Sequence, residues 1–247
     1  MNAIRTALEG ELGYTKLGFS ASDLDVLRGL IREQWLERIR DVAPGQAAQF
    51  ESLPMDRYHE FAGLLDHKAA WPKLKRILEQ PAVDKIRRLP TFRKLEEEFG
   101  DFVISDEENL GRENLYWRLV RPDSPSDVGP MHADQWFWAL GHGLAPDDVQ
   151  RVKIWIGIYC EKGQNGFRLV PGSHRRDWPY HGENRDGFVK PVIDISDGEL
   201  DIHMFDGEPG DAIVFNDRML HGGAVGGSRT RVSLEFTMFV KKDRYFQ

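Results

Sequence analysis

Two residues apart in the stretch MHADQWFWALGHG, His132 and Asp134 offer an imidazole nitrogen and a carboxylate oxygen, donor types that bind divalent metals. If the stretch is extended, residues two apart project to the same side, so both donors enter one space. With eight histidines in the chain, such a pair also arises by chance as a structural histidine–aspartate hydrogen bond. A second imidazole comes from GDAIVFNDRMLHGGAVGGSRTRVSLEF, read as a strand that ends in His221, a glycine-rich turn and a final strand from Arg231. In that strand Arg231, Ser233, Glu235 and Thr237 share one face, and Val232, Leu234, Phe236, Met238 and Val240 the other, an apolar layer. A guanidinium and a hydroxyl two residues apart make a receptor for a carboxylate, which arginine binds through two parallel hydrogen bonds. The neighbouring Arg229 is the alternative for that role. Two histidines and a carboxylate on one face of iron leave three positions open, the arrangement of non-haem Fe(II) oxygenases.

These residues need a scaffold. SASDLDVLRGLIREQWLERI spaces Leu24, Leu27, Ile31, Trp35 and Ile39 for an amphipathic helix, with Ser22 to Asp25 as a capping box. DRYHEFAGLLDH, PKLKRILEQ and FRKLEEEFG read as shorter helices punctuated by Pro72, Pro81 and Pro90. From Asn114 the texture changes to short runs, NLYWRLV, VKIWIGIY, FRLV, KPVIDI, DAIVF and RVSLEFTMFV, separated by turns such as GQNG, VPGSH and EPGD. Many strands without intervening helices predict a barrel, sandwich or jelly roll with the amino-terminal helices packed outside.

The order HADQW, NGFRLVPGSH, FNDRMLHGG and RTRVSLEF resembles the phytanoyl-CoA dioxygenase family of Fe(II)/2-oxoglutarate oxygenases. The early GFSASDLDVLRGLI and the strand NLYWRLVRPD extend the likeness over most of the chain, with residues 40–110 the least distinctive. The resemblance implies a double-stranded β-helix core and three iron ligands, His132, Asp134 and His221. It further implies that Arg231, helped by Ser233, holds the distal carboxylate of 2-oxoglutarate, with Trp138 lining the cosubstrate pocket. Some relatives carry a serine two residues after the distal histidine, where this chain has Gly223. Tyr116 and Arg118 are candidates for the other end of the cosubstrate. Halogenating relatives replace the aspartate with a small residue, so Asp134 implies hydroxylation or another hydrogen-abstraction outcome such as desaturation, with dioxygen consumed and succinate and carbon dioxide released.

Other residues have plainer readings. Trp155 and Tyr159 share a face with Lys153 and line either a cavity or a solvent surface; Arg168 is either a substrate contact or a solvated arginine. His174, in VPGSH, reads as structural or pocket-lining, and His142, His181 and His203 as loop or surface histidines. Cys160, the single cysteine, reads as buried and structural; it excludes an internal disulfide and fits a reducing compartment. At 247 residues and 40% hydrophobic content, the chain is expected to form one soluble domain, helical over 1–110 and jelly roll over 111–247. No apolar run reaches the roughly 20 residues of a membrane span, and no export signal is read, so a cytoplasmic protein is expected. A net charge of -7 argues against nucleic acid as a partner, leaving a small-molecule substrate, polar in view of Lys153 and Arg168. The competing reading is a cupin-like metal-binding or isomerising protein without oxygen chemistry.

Overall fold

The computed structural model describes residues 3–185 and 187–245. Its helices are α1 (Ala3–Glu9), α2 (Ala21–Val42), α3 (Ala47–Glu51), α4 (His67–Ala70), α5 (Gln80–Arg87), α6 (Pro90–Phe99), α7 (Asp134–Ala139) and α8 (Lys242–Tyr245). Its strands are β1 (Tyr14–Gly18), β2 (Val103–Ile104), β3 (Tyr116–Val120), β4 (Val149–Tyr159), β5 (Gly166–Leu169), β6 (Tyr180–Arg185), β7 (Phe188–Ile193), β8 (His203–Met204), β9 (Asp211–Asn216), β10 (His221–Ala224) and β11 (Arg231–Lys241). Among the described residues no helix is long and apolar enough to cross a membrane.

The cap of α2 is Ser20, two residues earlier than the spacing predicts: its side chain accepts the Asp23 amide at 3.1 Å. That frees Asp23 to accept the Thr91 hydroxyl at 2.7 Å and so to tie α2 to α6. Leu27, Ile31, Trp35 and Ile39 are fully buried, each stabilising the fold by roughly 1.5–3 kcal/mol. Pro81 and Pro90 stand in the first turns of α5 and α6, where a missing amide proton costs nothing. Between residues 55 and 76 the expected helices are 3₁₀ turns, apart from the single turn of α4. Tyr58 knots this segment: its hydroxyl bonds Nδ1 of His67 at 2.9 Å and accepts from the Trp71 indole at 3.0 Å.

The strands form two facing sheets and a separate hairpin, β6–β7. The larger sheet runs β1-β9-β4-β11, with β2 and β3 both pairing the far edge of β11. The smaller is β10-β5-β8. Alternation along β11 divides the molecule as expected: Val232, Leu234, Phe236, Met238 and Val240 enter the apolar cluster beneath the helices, leaving Arg231, Ser233, Glu235 and Thr237 on the inner face. β1 is a strand within the stretch expected to be helical. YTKLG gains its conformation from pairing with β9, so nothing local announces it.

Candidate metal centre

Both ligand-bearing segments are held by one another. His132 donates its amide to the His221 carbonyl at 2.9 Å, and His221 returns the bond at 2.8 Å. This isolated antiparallel bridge sets the two imidazoles side by side, centroids 4.5 Å apart. His221 therefore opens a strand, β10, instead of ending one. The stretch after it is helical where an extended chain was expected: Asp134 is the first residue of α7, whose second residue, Gln135, donates its amide to the Asp217 carbonyl at 3.0 Å. The carboxylate reaches the imidazoles from a helix N-terminus, which favours its charge.

Imidazole Nδ1 lies 2.8 Å from the Pro130 carbonyl in His132 and 2.9 Å from the Met219 carbonyl in His221. A carbonyl only accepts, so each Nδ1 carries the proton and each Nε2 presents a lone pair. His221 Nε2 stands 3.3 Å from Asp134 Oδ2, and His132 Nε2 stands 3.9 Å from Asp134 Oδ1. Asp134 Oδ2 is buried without a hydrogen bond, and the three donor atoms lie within 4.8 Å of one another. A carboxylate facing two imidazole lone pairs, with Oδ2 accepting no hydrogen bond, is a donor set open to a metal ion, and its chemistry suits iron. Phe167 stacks on His221 at 5.1 Å, Phe215 meets it edge-on at 4.8 Å and Phe137 flanks His132 at 5.3 Å, giving the centre apolar walls.

The electrostatics keep these donors ready. Burial pushes the His221 pKa down to about 4, so the ring is neutral at physiological pH. Burial alone would raise Asp134, but Lys153, His221 and His132 outweigh it and hold the carboxyl at about 2. Lys153, only 2% exposed, places Nζ 3.6 Å from Asp134 Oδ2 and 3.7 Å from Glu107 Oε1, and donates to Thr237 Oγ1 at 3.0 Å. Thr237 donates onward to Glu107 at 2.7 Å. Glu107 lies in a loop that no motif distinguished; Glu235 was visible only as a member of the Arg231 face.

Arg231 is likewise on the inner face and 2% exposed. Its Nη1 donates to Ser233 Oγ at 3.1 Å, its guanidinium lies 5.9 Å over the Trp155 ring and its Nε is buried without a partner. Burial, then the charge of Arg118, lowers its pKa to about 10, which leaves it a cation at neutral pH. Arg229, the sequence alternative, instead pairs with Asp56 at 2.6 Å with its side chain 58% exposed.

Trp138, one turn beyond Asp134, packs against Phe239 at 5.6 Å and under the Arg151 guanidinium at 5.7 Å. These three aromatics lie on a helix and do not alternate as on a strand: Trp136 stacks on Tyr180 at 4.5 Å, and Phe137 turns to His132. Lys153 and Trp155 do line the interior. Tyr159 does not, because a bulge sets Val232 opposite Tyr159 but Ser233 opposite Gly157, turning Tyr159 to the helix side beneath Arg28. Arg168 faces outward, opposite in sense to the inward Phe167, and donates to the Gly223 carbonyl at 3.1 Å. Cys160 follows β4 only partly buried, with its pKa pushed up to about 11 by burial. His142, His181 and His203 are at the surface, the last two on strands.

Comparison with solved structures places the chain beside EvdO2 from Micromonospora carbonacea var. aurantiaca, 15% identical over 98% of this chain and 91% of that one, with a TM-score of 0.58. EctD from S. alaskensis is 14% identical over 99% and 80%, with a TM-score of 0.54. At such identities the likeness is one of fold, a cupin-like double-stranded β-helix. EvdO2 has also been solved with 2-oxoglutarate, and EctD with bound Fe. No curated protein matches the chain. The family model for phytanoyl-CoA dioxygenase matches residues 26–230, a span that includes His132, Asp134 and His221. The chain therefore belongs to the phytanoyl-CoA dioxygenase family of non-haem iron, 2-oxoglutarate-dependent oxygenases.

Proposed function

We propose that His132, Asp134 and His221 hold Fe(II), that Arg231 with Ser233 binds the distal carboxylate of 2-oxoglutarate, and that the reaction is hydroxylation of a small polar metabolite. The observation that carries this reading is a pair of unmet demands among buried groups: Asp134 Oδ2 lacks a hydrogen bond, and Arg231 Nε lacks an acceptor. A cation answers the first and a carboxylate the second.

The chain's own residues bind, orient and exclude water. His132 and His221, fixed through Nδ1, aim Nε2 at the metal position; Asp134, held ionised, adds the negative charge. Lys153 keeps a positive charge 3.6 Å from Asp134, which would favour an anionic cosubstrate beside the metal position. Trp155 supports Arg231, and the phenylalanines around His221 keep the centre dry, which strengthens each charge interaction. Bound iron, 2-oxoglutarate and dioxygen supply the oxidation, yielding succinate, carbon dioxide and an alcohol. Trp138 remains a cosubstrate-pocket residue in this proposal, acting from the far turn of α7.

Anaerobic addition of 2-oxoglutarate to the Fe(II) protein tests the reading: a visible charge-transfer band is expected. Succinate formation should then require Fe(II) and oxygen. Turnover in rigorously metal-free protein, or no band with saturating cosubstrate, overturns it.

A further inference from the structure

We infer that Arg118 is the receptor for a carboxylate on the substrate, so that the oxidised molecule is a small carboxylic acid. The inference rests on the iron and cosubstrate assignment above but on a different residue. Arg118 stands on β3 directly opposite Ser233, on the same inner face as Arg231 and Glu235. Glu235 accepts from its Nε, and the guanidinium lies 5.4 Å over the ring of Tyr116. An arginine so held has few rotamers left to lose when a ligand arrives.

Its surroundings separate it from a purely structural arginine. Ser233 is 0% exposed and Glu235 9%, yet 39% of the Arg118 side chain is open to solvent. Glu235 occupies the Nε edge of the guanidinium, which leaves the other nitrogens of the fork to meet a ligand. The position is close to the proposed cosubstrate receptor, since Arg118 stands opposite the Ser233 that accepts from Arg231. Arg231 already serves the distal end of the cosubstrate and Lys153 stands at the metal end, 3.6 Å from Asp134. Of the other cations on this wall, Lys73 is engaged by Glu108 at 2.5 Å, and Arg118 therefore meets the substrate.

The other polar groups on the wall fit one ligand carboxylate. Glu107 is engaged by Thr237 at 2.7 Å and flanked by Lys153 at 3.7 Å and Lys73 at 3.5 Å. Glu235 is engaged by Arg118. Neither acid is left as an unpaired charge that would repel an incoming anion.

The test uses matched pairs of small 2-hydroxy and 2-amino acids and their primary amides. Binding to protein loaded anaerobically with Fe(II) and 2-oxoglutarate is read by the shift of the visible band, and binding to the same protein without iron is read by calorimetry. In the wild type the better acids should bind at least about tenfold more tightly than their amides. That preference should vanish in Arg118→Gln and in Arg118→Gln/Glu235→Gln, which removes both members of the ion pair and strands neither charge. Arg118→Lys should keep part of it. The 2-oxoglutarate Kd should stay within about twofold in each variant. Equal binding of acids and amides by the wild type overturns the proposal, as does a preference that survives loss of Arg118. A 2-oxoglutarate Kd that rises by the whole factor overturns it too, because Arg118 then belongs to the cosubstrate. A protein that forms no band but still prefers acids through Arg118 overturns only the iron assignment.

Discussion

The Asp134 carboxylate faces two partners at once, with Oδ2 3.3 Å from Nε2 of His221 and 3.6 Å from Nζ of Lys153. In the proposed centre it is both a metal donor and a counter-charge for an ammonium that is 2% exposed. Removing it should therefore do more than remove a ligand. Asp134→Ala should abolish Fe(II) binding and also lower the stability of the metal-free protein by roughly 3 kcal/mol, because Lys153 is left buried with Glu107 as its nearest acid. His132→Ala should abolish metal binding with a much smaller loss. Denaturant midpoints of the metal-free proteins separate the two, and Asp134→Ala/Lys153→Met should recover stability without recovering iron. Equal midpoints for the Asp134 and His132 variants would contradict the dual role.

Arg231 gives the opposite balance of binding and stability. Its guanidinium is buried with Nε unpaired, so the folded protein carries a desolvation cost that a bound carboxylate offsets. Arg231→Leu should raise the 2-oxoglutarate Kd on the order of 100-fold, the worth of a charge-assisted pair of hydrogen bonds. The thermal midpoint of the cosubstrate-free protein should be unchanged or higher. Titration of the visible band gives the first number and a melting curve the second; an unaltered Kd would remove Arg231 from its role.

Gly223 explains why this chain lacks the serine that some relatives place two residues after the distal histidine. A Cβ there would fall 2.9 Å from Arg231 Nη2 and 2.9 Å from Val128 Cγ1. The arginine is pinned by Ser233 and Trp155 and has nowhere to retreat without losing its aim. Gly223→Ser should weaken 2-oxoglutarate binding by about tenfold while leaving metal affinity intact, since misplacing one receptor group costs binding at that group alone. Unchanged cosubstrate affinity would show that the guanidinium tolerates the displacement.

The legibility of this site followed the range of the forces that form it. Strand alternation is local, so the inner placement of Arg231, Ser233, Glu235 and Thr237 could be read directly from RVSLEFTMFV. The spacing that singled out His132 and Asp134 also survived, although for a different reason: the two residues converge because a bridge to His221 ends at the start of α7, and not because the segment is extended. Gln135 bonding to Asp217, eighty-odd positions away, starts that helix, and such a contact leaves no local mark. Tyr159 was misplaced by a single bulge, since one inserted residue reverses every side chain beyond it. The Lys153–Glu107–Thr237 network was unreadable because Glu107 comes from a loop with no period at all.

His174 gives the fold a dependence on pH that is separate from the metal centre. It is 6% exposed with both ring nitrogens shut away from solvent, and it packs so closely on the amino-terminal segment that a Cβ at Gly13 would fall 2.2 Å from Nδ1. Burial lowers its pKa below the ordinary imidazole value, against the opposing pull of Glu9. The unfolded chain then takes up a proton near pH ~6.5 that the folded protein refuses, so this contribution to stability is complete above that pH and is lost as pH falls below it. Thermal midpoints of the metal-free protein at about pH 7.5 and about pH 5.5 should therefore differ less in His174→Gln than in the wild type. Other buried histidines contribute the same slope to both proteins and cancel in the comparison. An equal drop in the two would mean that His174 accepts its proton in the folded state and leaves the acid sensitivity to other groups.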